Sequence, residues 1–156
     1  MIGGISAVQS TRTTKIGRVG EFFVAYVLER HGVECHHVDR FGMDLWCRLP
    51  NERLVTVEVK TSTGARRRGG HRPAYFFSTN SRNADWYAFV ALDIERVLFV
   101  PMNEVTAVTL RFKPYDFIEE RCVESVERFL EKKTPAEAGA REENNSREKT
   151  VLAKVS

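Results

Sequence analysis

The sequence predicts an α/β domain in which a central β-sheet is flanked by an N-terminal and a C-terminal helix. Apolar residues recur at helical spacing over residues 16–28 and again over residues 117–129. Between these two segments lie short runs rich in β-branched and aromatic residues, which is the composition of strands. A chain of 156 residues that is 42% hydrophobic is long enough to form one domain with a proper core.

The first helix is expected to begin near Lys15 and to end at His31 and Gly32. The preceding residues 1–13 are rich in Gly, Ser and Thr and lack periodicity, which predicts a flexible arm. Gly20 lies on the apolar stripe of the helix, where the missing side chain allows another backbone to come close.

Glu21 is the informative polar residue of this helix. The residues three, four and seven positions after it are apolar: Val24, Ala25 and Leu28. An acid that borders a buried stripe either extends to solvent or reaches a site beneath the helix. The helical pattern alone leaves both interpretations open.

Seven runs between the two helices have the composition of strands. The third run is apolar and β-branched along most of its length, as a central strand should be, and the fifth and sixth form a hairpin. We expect Trp86, Tyr87 and Phe89 in the core rather than stacked on bases. The strand predictions cover residues 33–38, 43–49, 54–60, 74–78, 85–92, 97–101 and 106–112.

A second amphipathic helix is predicted over residues 115–132. From residue 134 to residue 156 the composition is dominated by Ala, Glu, Asn, Ser and Lys, which predicts a disordered tail. The expected organisation is therefore an arm at residues 1–13, one domain at 14–133 and a tail at 134–156.

Composition excludes several classes of protein. No apolar run approaches the roughly 20 residues that a membrane-spanning helix needs, and the N-terminus shows no secretory signal. Three scattered cysteines suit a reducing compartment, so we expect a cytoplasmic protein without a membrane partner. The net charge of +3 is too small to indicate a partner by itself.

Charged residues interrupt the third strand near its end. Side chains alternate along a strand, so Glu58 and Lys60 share one face while Val57 and Val59 share the other. A Glu-x-Lys triplet has about even odds of occurring by chance in a chain of this length. Most such pairs are solvent-exposed and worth about 0.2–1 kcal/mol. The functional alternative is a metal-assisted phosphodiester cleavage site that also uses Asp44.

A basic, glycine-rich segment follows this strand directly. Between residues 60 and 72 there are five basic side chains and no acid: Lys60, Arg66, Arg67, Arg68 and Arg72. A charge run of this kind is either a solvated loop or a surface that contacts phosphates. Its position immediately after Glu58 and Lys60 favours phosphate contact.

The order of these features resembles the PD-(D/E)xK nuclease superfamily, whose fold is restriction-endonuclease-like with a central mixed β-sheet. The similarity covers roughly residues 15–101. Within the superfamily the chain is similar to archaeal-type Holliday junction resolvases and to small phage and intron-encoded endonucleases. The motifs that carry the resemblance are Gly17-Arg18-Val19-Gly20-Glu21, Gly42-Met43-Asp44-Leu45 and Val57-Glu58-Val59-Lys60-Thr61-Ser62.

The resemblance implies a set of catalytic and metal-binding residues. Asp44, Glu58 and the Val59 carbonyl would hold Mg²⁺, for which Mn²⁺ would substitute. Lys60 would position or deprotonate the attacking water, and Glu21 would reach a metal-bound water or a second metal. The resemblance also implies that the hydroxyls of Thr61 and Ser62 orient water or phosphate. Arg66, Arg67, Arg68 and Arg72 would add contacts to DNA.

The chain departs from the superfamily pattern in two places. Met43 stands where many members have proline before the first acid, and a loop is expected in place of the long helix that usually follows the third strand. Proline does no chemistry in that position, so an active enzyme is still expected. The replaced helix leaves the architecture after residue 61 less defined by the resemblance.

Several functions are compatible with the resemblance. A junction resolvase would act on branched DNA as a homodimer, since two strands must be cut across a two-fold junction. An intron-encoded or restriction-like enzyme would instead read base edges in duplex DNA. We favour the structure-selective enzyme slightly, because the short chain lacks an evident reading module. A DNA-binding domain that does not cleave and a purely structural α/β domain are the remaining alternatives.

Overall fold

The computed structural model describes residues 4–40 and 42–131, with the side chains of residues 4–11 and 39 left out of the description. The order of elements is helix, three strands, a short strand, a hairpin, a further short strand and a final helix. The helices are α1 (Gly4–Glu29) and α2 (Glu119–Glu131). The strands are β1 (Glu34–Arg40), β2 (Met43–Arg48), β3 (Leu54–Ser62), β4 (Tyr75–Ser78), β5 (Trp86–Ala91), β6 (Arg96–Pro101) and β7 (Thr109–Phe112).

Five strands form the main sheet in the order β1-β2-β3-β5-β6. Neighbouring strands are antiparallel except β3 and β5, which are parallel, so the predicted mixed sheet is confirmed. β3 is central, and Val55 and Val57 on it are buried, as its β-branched composition predicts. The predicted hairpin of β5 and β6 is also confirmed.

The main sheet buries both of its faces. On one face α1 and α2 cover a core that includes Val24, Leu45, Val57 and Phe129. Phe129 of α2 packs against Trp86 and Phe99 with ring centroids 5.1 Å and 4.9 Å away. The two flanking helices predicted from the sequence are therefore present.

A second, two-stranded sheet of β4 and β7 covers the other face. Its inward side chains join Tyr87 and Phe89 in an aromatic core, in which Phe77 lies 5.0 Å from Phe89. Trp86, Tyr87 and Phe89 are all buried, so the prediction that these aromatics belong to the core is confirmed.

The start of the first helix was predicted wrongly. α1 begins at Gly4 rather than near Lys15, so most of the predicted arm at residues 1–13 is helical. No proline interrupts this segment, and a helix that is already nucleated extends at little cost per residue. Residues 1–3 lie outside the described part of the chain.

The C-terminal helix also begins later than the predicted residue 115. Pro114–Phe117 forms a short 3₁₀ turn and Ile118 has extended backbone, so α2 starts at Glu119. The predicted tail at residues 134–156 lies outside the described residues. None of the helices that the structure describes is both long and apolar enough to cross a membrane.

The connection between β3 and β5 contains no helix. Residues 63–74 form a loop that is closed by backbone hydrogen bonds between Arg66 and Ala74, at 2.8 Å and 3.0 Å. After this loop the chain forms β4 and then returns to the main sheet as β5. The loop expected at this point is therefore present and is anchored at its base.

Candidate active site

Strand pairing brings the first acid beside the second. Leu45 of β2 is paired with Val57 of β3, so Asp44 lies next to Glu58 at the edge where β2 begins. An Asp44 carboxylate oxygen accepts a hydrogen bond from the Val59 N–H at 2.6 Å. Lys60 follows on the same face of β3, and its Nζ lies 2.6 Å from a Glu58 carboxylate oxygen. The structure therefore brings together Asp44, Glu58, Val59 and Lys60.

The electrostatics of Asp44 indicate a crowded acidic site. Burial raises the pKa of Asp44 to about 6, against the opposing effect of the Val59 N–H. The negative charges of Glu21 and Glu58 raise this pKa further, and Lys60 lowers it. A cation placed among these carboxylates would offset both the cost of burying the Asp44 charge and its repulsion by Glu21 and Glu58.

Glu58 has a buried oxygen that the protein leaves without a partner. The residue is only 4% exposed, and its second carboxylate oxygen accepts no hydrogen bond from the described residues. Buried polar atoms are almost always hydrogen-bonded, so an orphaned carboxylate oxygen needs an external partner. The phenol of Tyr87 lies nearby, and burial together with the Glu58 charge raises the pKa of Tyr87.

These donors fit a hard divalent cation. Mg²⁺ is commonly held by one or two carboxylates and keeps several water ligands. Asp44 and Glu58 provide two carboxylates, and the backbone of Val59 lies against Asp44. In the described part of the chain no three His, Cys, Asp or Glu side chains are grouped as a metal-binding cluster. Carboxylate and carbonyl oxygens suit Mg²⁺, whereas the nitrogen and sulfur ligands typical of zinc sites are not part of this donor set.

Glu21 approaches from α1 and is held by two basic side chains. Its carboxylate lies 3.4 Å from His37 Nδ1 and 3.5 Å from an Arg18 guanidinium nitrogen. His37 was not predicted to take part in the site, although the alternation along β1 places it on the face opposite to His36. The sequence does not predict how α1 packs on β1, and this packing brings His37 into contact with Glu21.

Gly20 allows α1 to approach β3 closely. A Cβ atom built at Gly20 would lie 1.8 Å from the Thr61 hydroxyl oxygen and 3.0 Å from its Cβ. The close approach at Gly20 is therefore to a threonine side chain rather than to the backbone that was expected. The Thr61 hydroxyl oxygen is buried and has no hydrogen-bond partner among the described residues.

A cavity of about 350 Å³ opens beside Lys60, between α1 and the loop that follows β3. Its wall includes two predicted phosphate-contacting residues, Arg66 and Arg68. The Arg68 guanidinium lies 4.2 Å from the centroid of the Phe76 ring, which holds it by a cation–π contact. The other lining residues are Thr13, Ile16, Gly17, Val59, Lys60, Thr61, Ser62, Thr63, Gly64 and Phe76.

The remaining predicted contact residues take different positions. The Ser62 hydroxyl lines the cavity and donates a hydrogen bond to the Gly64 carbonyl at 3.2 Å. Arg67 is exposed on the loop, and Arg72 lines a separate groove between the loop and the end of β7. The structure therefore brings Arg66 and Arg68, but not Arg67 and Arg72, to the cavity beside Lys60.

The sequence as a whole matches no protein-family model and no curated protein. Among solved structures, the fold is similar to that of a bacterial homing endonuclease, I-Ssp6803I. The TM-score is 0.53, and the match covers 64% of this chain and 74% of that chain at 16% sequence identity. This likeness shows that the mixed sheet and its two flanking helices form an α/β fold similar to the fold of that protein.

Proposed function

We propose that this protein is a metal-dependent DNA endonuclease. It hydrolyses phosphodiester bonds at the site formed by Asp44 of β2 and by Glu58 and Lys60 of β3. The observation that carries the proposal is the buried Glu58, whose orphaned oxygen lies beside an Asp44 of raised pKa and a paired Lys60. An acid with a perturbed pKa that lies beside a second acid and a lysine, next to a basic cavity, is typical of catalytic sites. A structural ion pair would not leave a buried carboxylate oxygen without a partner.

Each residue has a role in this proposal. Asp44, Glu58 and the Val59 carbonyl hold Mg²⁺, and Mn²⁺ substitutes for it. When bound, the ion polarises the phosphate and makes water a better nucleophile. Lys60 orients the attacking water and offsets the charge that develops on the phosphate.

The residues around this centre position the substrate and the acids. Glu21 adds a carboxylate from α1, and its contacts with His37 and Arg18 hold it in place. Arg66 and Arg68 contact phosphates of the DNA that enters the cavity beside Lys60. These contacts are independent of sequence, so they fix the backbone of the DNA rather than select a target.

Two substrates are compatible with this site, and the structural likeness supports one of them. One solved structure of similar fold is that of a homing endonuclease, which favours the sequence-specific endonuclease over the junction resolvase. Cleavage of a junction would require a homodimer with two sites related by symmetry. A DNA-binding domain without cleavage is the alternative in a different class.

A cleavage assay tests the proposal. Labelled linear duplex, four-way junction and single-stranded DNA are incubated with the protein in Mg²⁺, in Mn²⁺ and in EDTA. The variants Glu58→Gln and Lys60→Ala test the centre, and Glu104→Gln is the control, because Glu104 forms a surface ion pair with Arg128. We expect cutting that requires the metal and falls at least about a hundredfold in the two site variants.

The products distinguish the alternatives. Duplex cut at defined positions supports a sequence-reading endonuclease, and paired nicks in the junction alone support a resolvase. Salt-sensitive binding without cutting would support the non-cleaving domain. Full activity of Glu58→Gln would overturn the assignment of the site.

A further inference from the structure

The outward face of the small sheet carries Arg111 and adjoins the cavity beside Lys60. Along β4 and β7 the inward positions are apolar, whereas Phe76 and Arg111 face outward and are directly paired across the two strands. Opposite residues on one face of an antiparallel pair have Cβ atoms about 5 Å apart. Phe76 lines the cavity beside Lys60, so Arg111 stands next to that cavity.

Beyond Arg111 the surface continues as a second groove. This groove has a volume of about 390 Å³ and lies between the loop and the end of β7. The backbone of Lys113 is extended, so its side chain is expected on the same side as that of Arg111, two residues earlier. The lining residues are His71, Arg72, Pro73, Arg111, Lys113, Pro114 and Tyr115.

The loop and β7 are joined at this groove. An Arg111 guanidinium nitrogen donates a hydrogen bond to the Arg72 carbonyl at 3.3 Å, which ties the loop to the sheet. This bond occupies one of five guanidinium donors and leaves the others available to a ligand. Arg68, Arg72, Arg111 and Lys113 thus form a continuous surface, which we call the basic band.

The charges of the basic band are not paired with acids: Asp116 accepts a hydrogen bond from the Lys113 N–H at 2.7 Å, but its ion pair is with Arg121. None of the described residues that line the cavity or the groove is acidic. Within the described part of the chain, no ion pair involves any of the four cations of the band. By contrast, Arg48, Arg121 and Arg128 each pair with a carboxylate. Exposed cations on one surface without acidic partners create a positive potential that attracts a polyanion.

We propose that the basic band holds the phosphate backbone of the DNA arm that leads away from the cut, as a second contact region beyond the cavity. This inference rests on the proposed function for the identity of the polyanion. The band begins at Arg68 in the cavity beside Lys60 and ends at Lys113, so one DNA backbone can contact both regions. The DNA contacts predicted from the sequence did not include Arg111 and Lys113. In this proposal Arg72 contacts DNA in the band rather than in the cavity.

The test is the salt dependence of DNA binding in EDTA, where no cutting occurs. A fluorescent duplex of mixed sequence is titrated with wild-type protein and with the double variant Arg111→Gln, Lys113→Gln at several KCl concentrations. The slope of log K against log [salt] is negative, and each lost phosphate contact reduces its magnitude by about 0.9, so we expect the magnitude to fall by about 2. The matched control is Arg30→Gln, Arg48→Gln, which removes two cations at the opposite end of the sheet and should leave the slope unchanged.

The outcomes separate this inference from the proposed function. If the slope is unchanged in the band variant, or if its magnitude falls equally in the control, the basic band does not contact DNA as proposed, even if the protein cuts DNA. A decrease confined to the band variant supports it even if no cutting is found. Circular dichroism checks that the double variant folds. If it does not fold, the two single variants are measured instead, and each should reduce the magnitude of the slope by about 1.

Discussion

Replacing Asp44 with asparagine should stabilise the protein in the absence of metal. Burial is the main reason that the pKa of Asp44 rises from 3.8 to about 6 in the folded state, so ionising this group opposes folding. Asparagine keeps an oxygen that can accept the hydrogen bond from the Val59 N–H and carries no charge. The substitution therefore removes the cost of a buried charge at little cost in hydrogen bonding.

The magnitude follows from the shift in pKa. A shift of about two units corresponds to about 3 kcal/mol, and screening by solvent at this partly exposed side chain reduces the expected gain to about 1–2 kcal/mol. The folded state holds more protons than the unfolded state between pH 3.8 and about 6, so wild-type stability falls as the pH rises through this window. Below this window the two proteins should be equally stable with respect to this group, and above it the variant should be more stable.

Urea denaturation in EDTA at several pH values between about 4 and 8 measures the difference in the free energy of unfolding. The control is Asp85→Asn, because Asp85 also accepts a backbone N–H of β3, from Thr56 at 2.8 Å, but is exposed. A difference between wild type and Asp44→Asn that does not change with pH would refute the reasoning, as would a variant that is less stable at pH 8.

Three further predictions concern packing and thiol chemistry. Gly20→Ala should lower the free energy of unfolding by about 1–3 kcal/mol, because the new methyl group overlaps a threonine of β3. A Cβ added at Gly17 has no neighbour within 4 Å, so Gly17→Ala should instead raise the free energy of unfolding by about 0.5–1 kcal/mol. Equal effects of the two substitutions in urea denaturation would contradict the close approach at Gly20. A small aromatic disulfide should modify Cys35 before the buried thiols, because a hydrogen bond with Cys47 lowers the pKa of Cys35; peptide mapping that finds Cys47 modified first would argue against this. Phe129→Ala should cost about 3–5 kcal/mol in thermal or chemical denaturation, and a cost below about 1 kcal/mol would mean that α2 does not pack on the sheet as described.

The architecture could be predicted well where the signal is local. Strand composition predicted each strand to within a few residues, and alternation placed Glu58 and Lys60 on one face. The start of α1 could not be predicted, because the segment from Gly4 onward has no strong periodicity and becomes helical by extension of the turns that follow it.

The sequence by itself determined the local features of this protein: the apolar pattern of β3, the residues that share each strand face, and the basic loop that follows Glu58. These depend on the alternation of side chains along a strand and on composition, which neighbouring residues decide. Only the tertiary structure decided that Glu21 contacts His37 and that the Cys35 and Cys47 sulfurs lie 3.7 Å apart. It also decided that Arg111 continues the basic surface, because helix packing and strand register depend on partners distant in the chain.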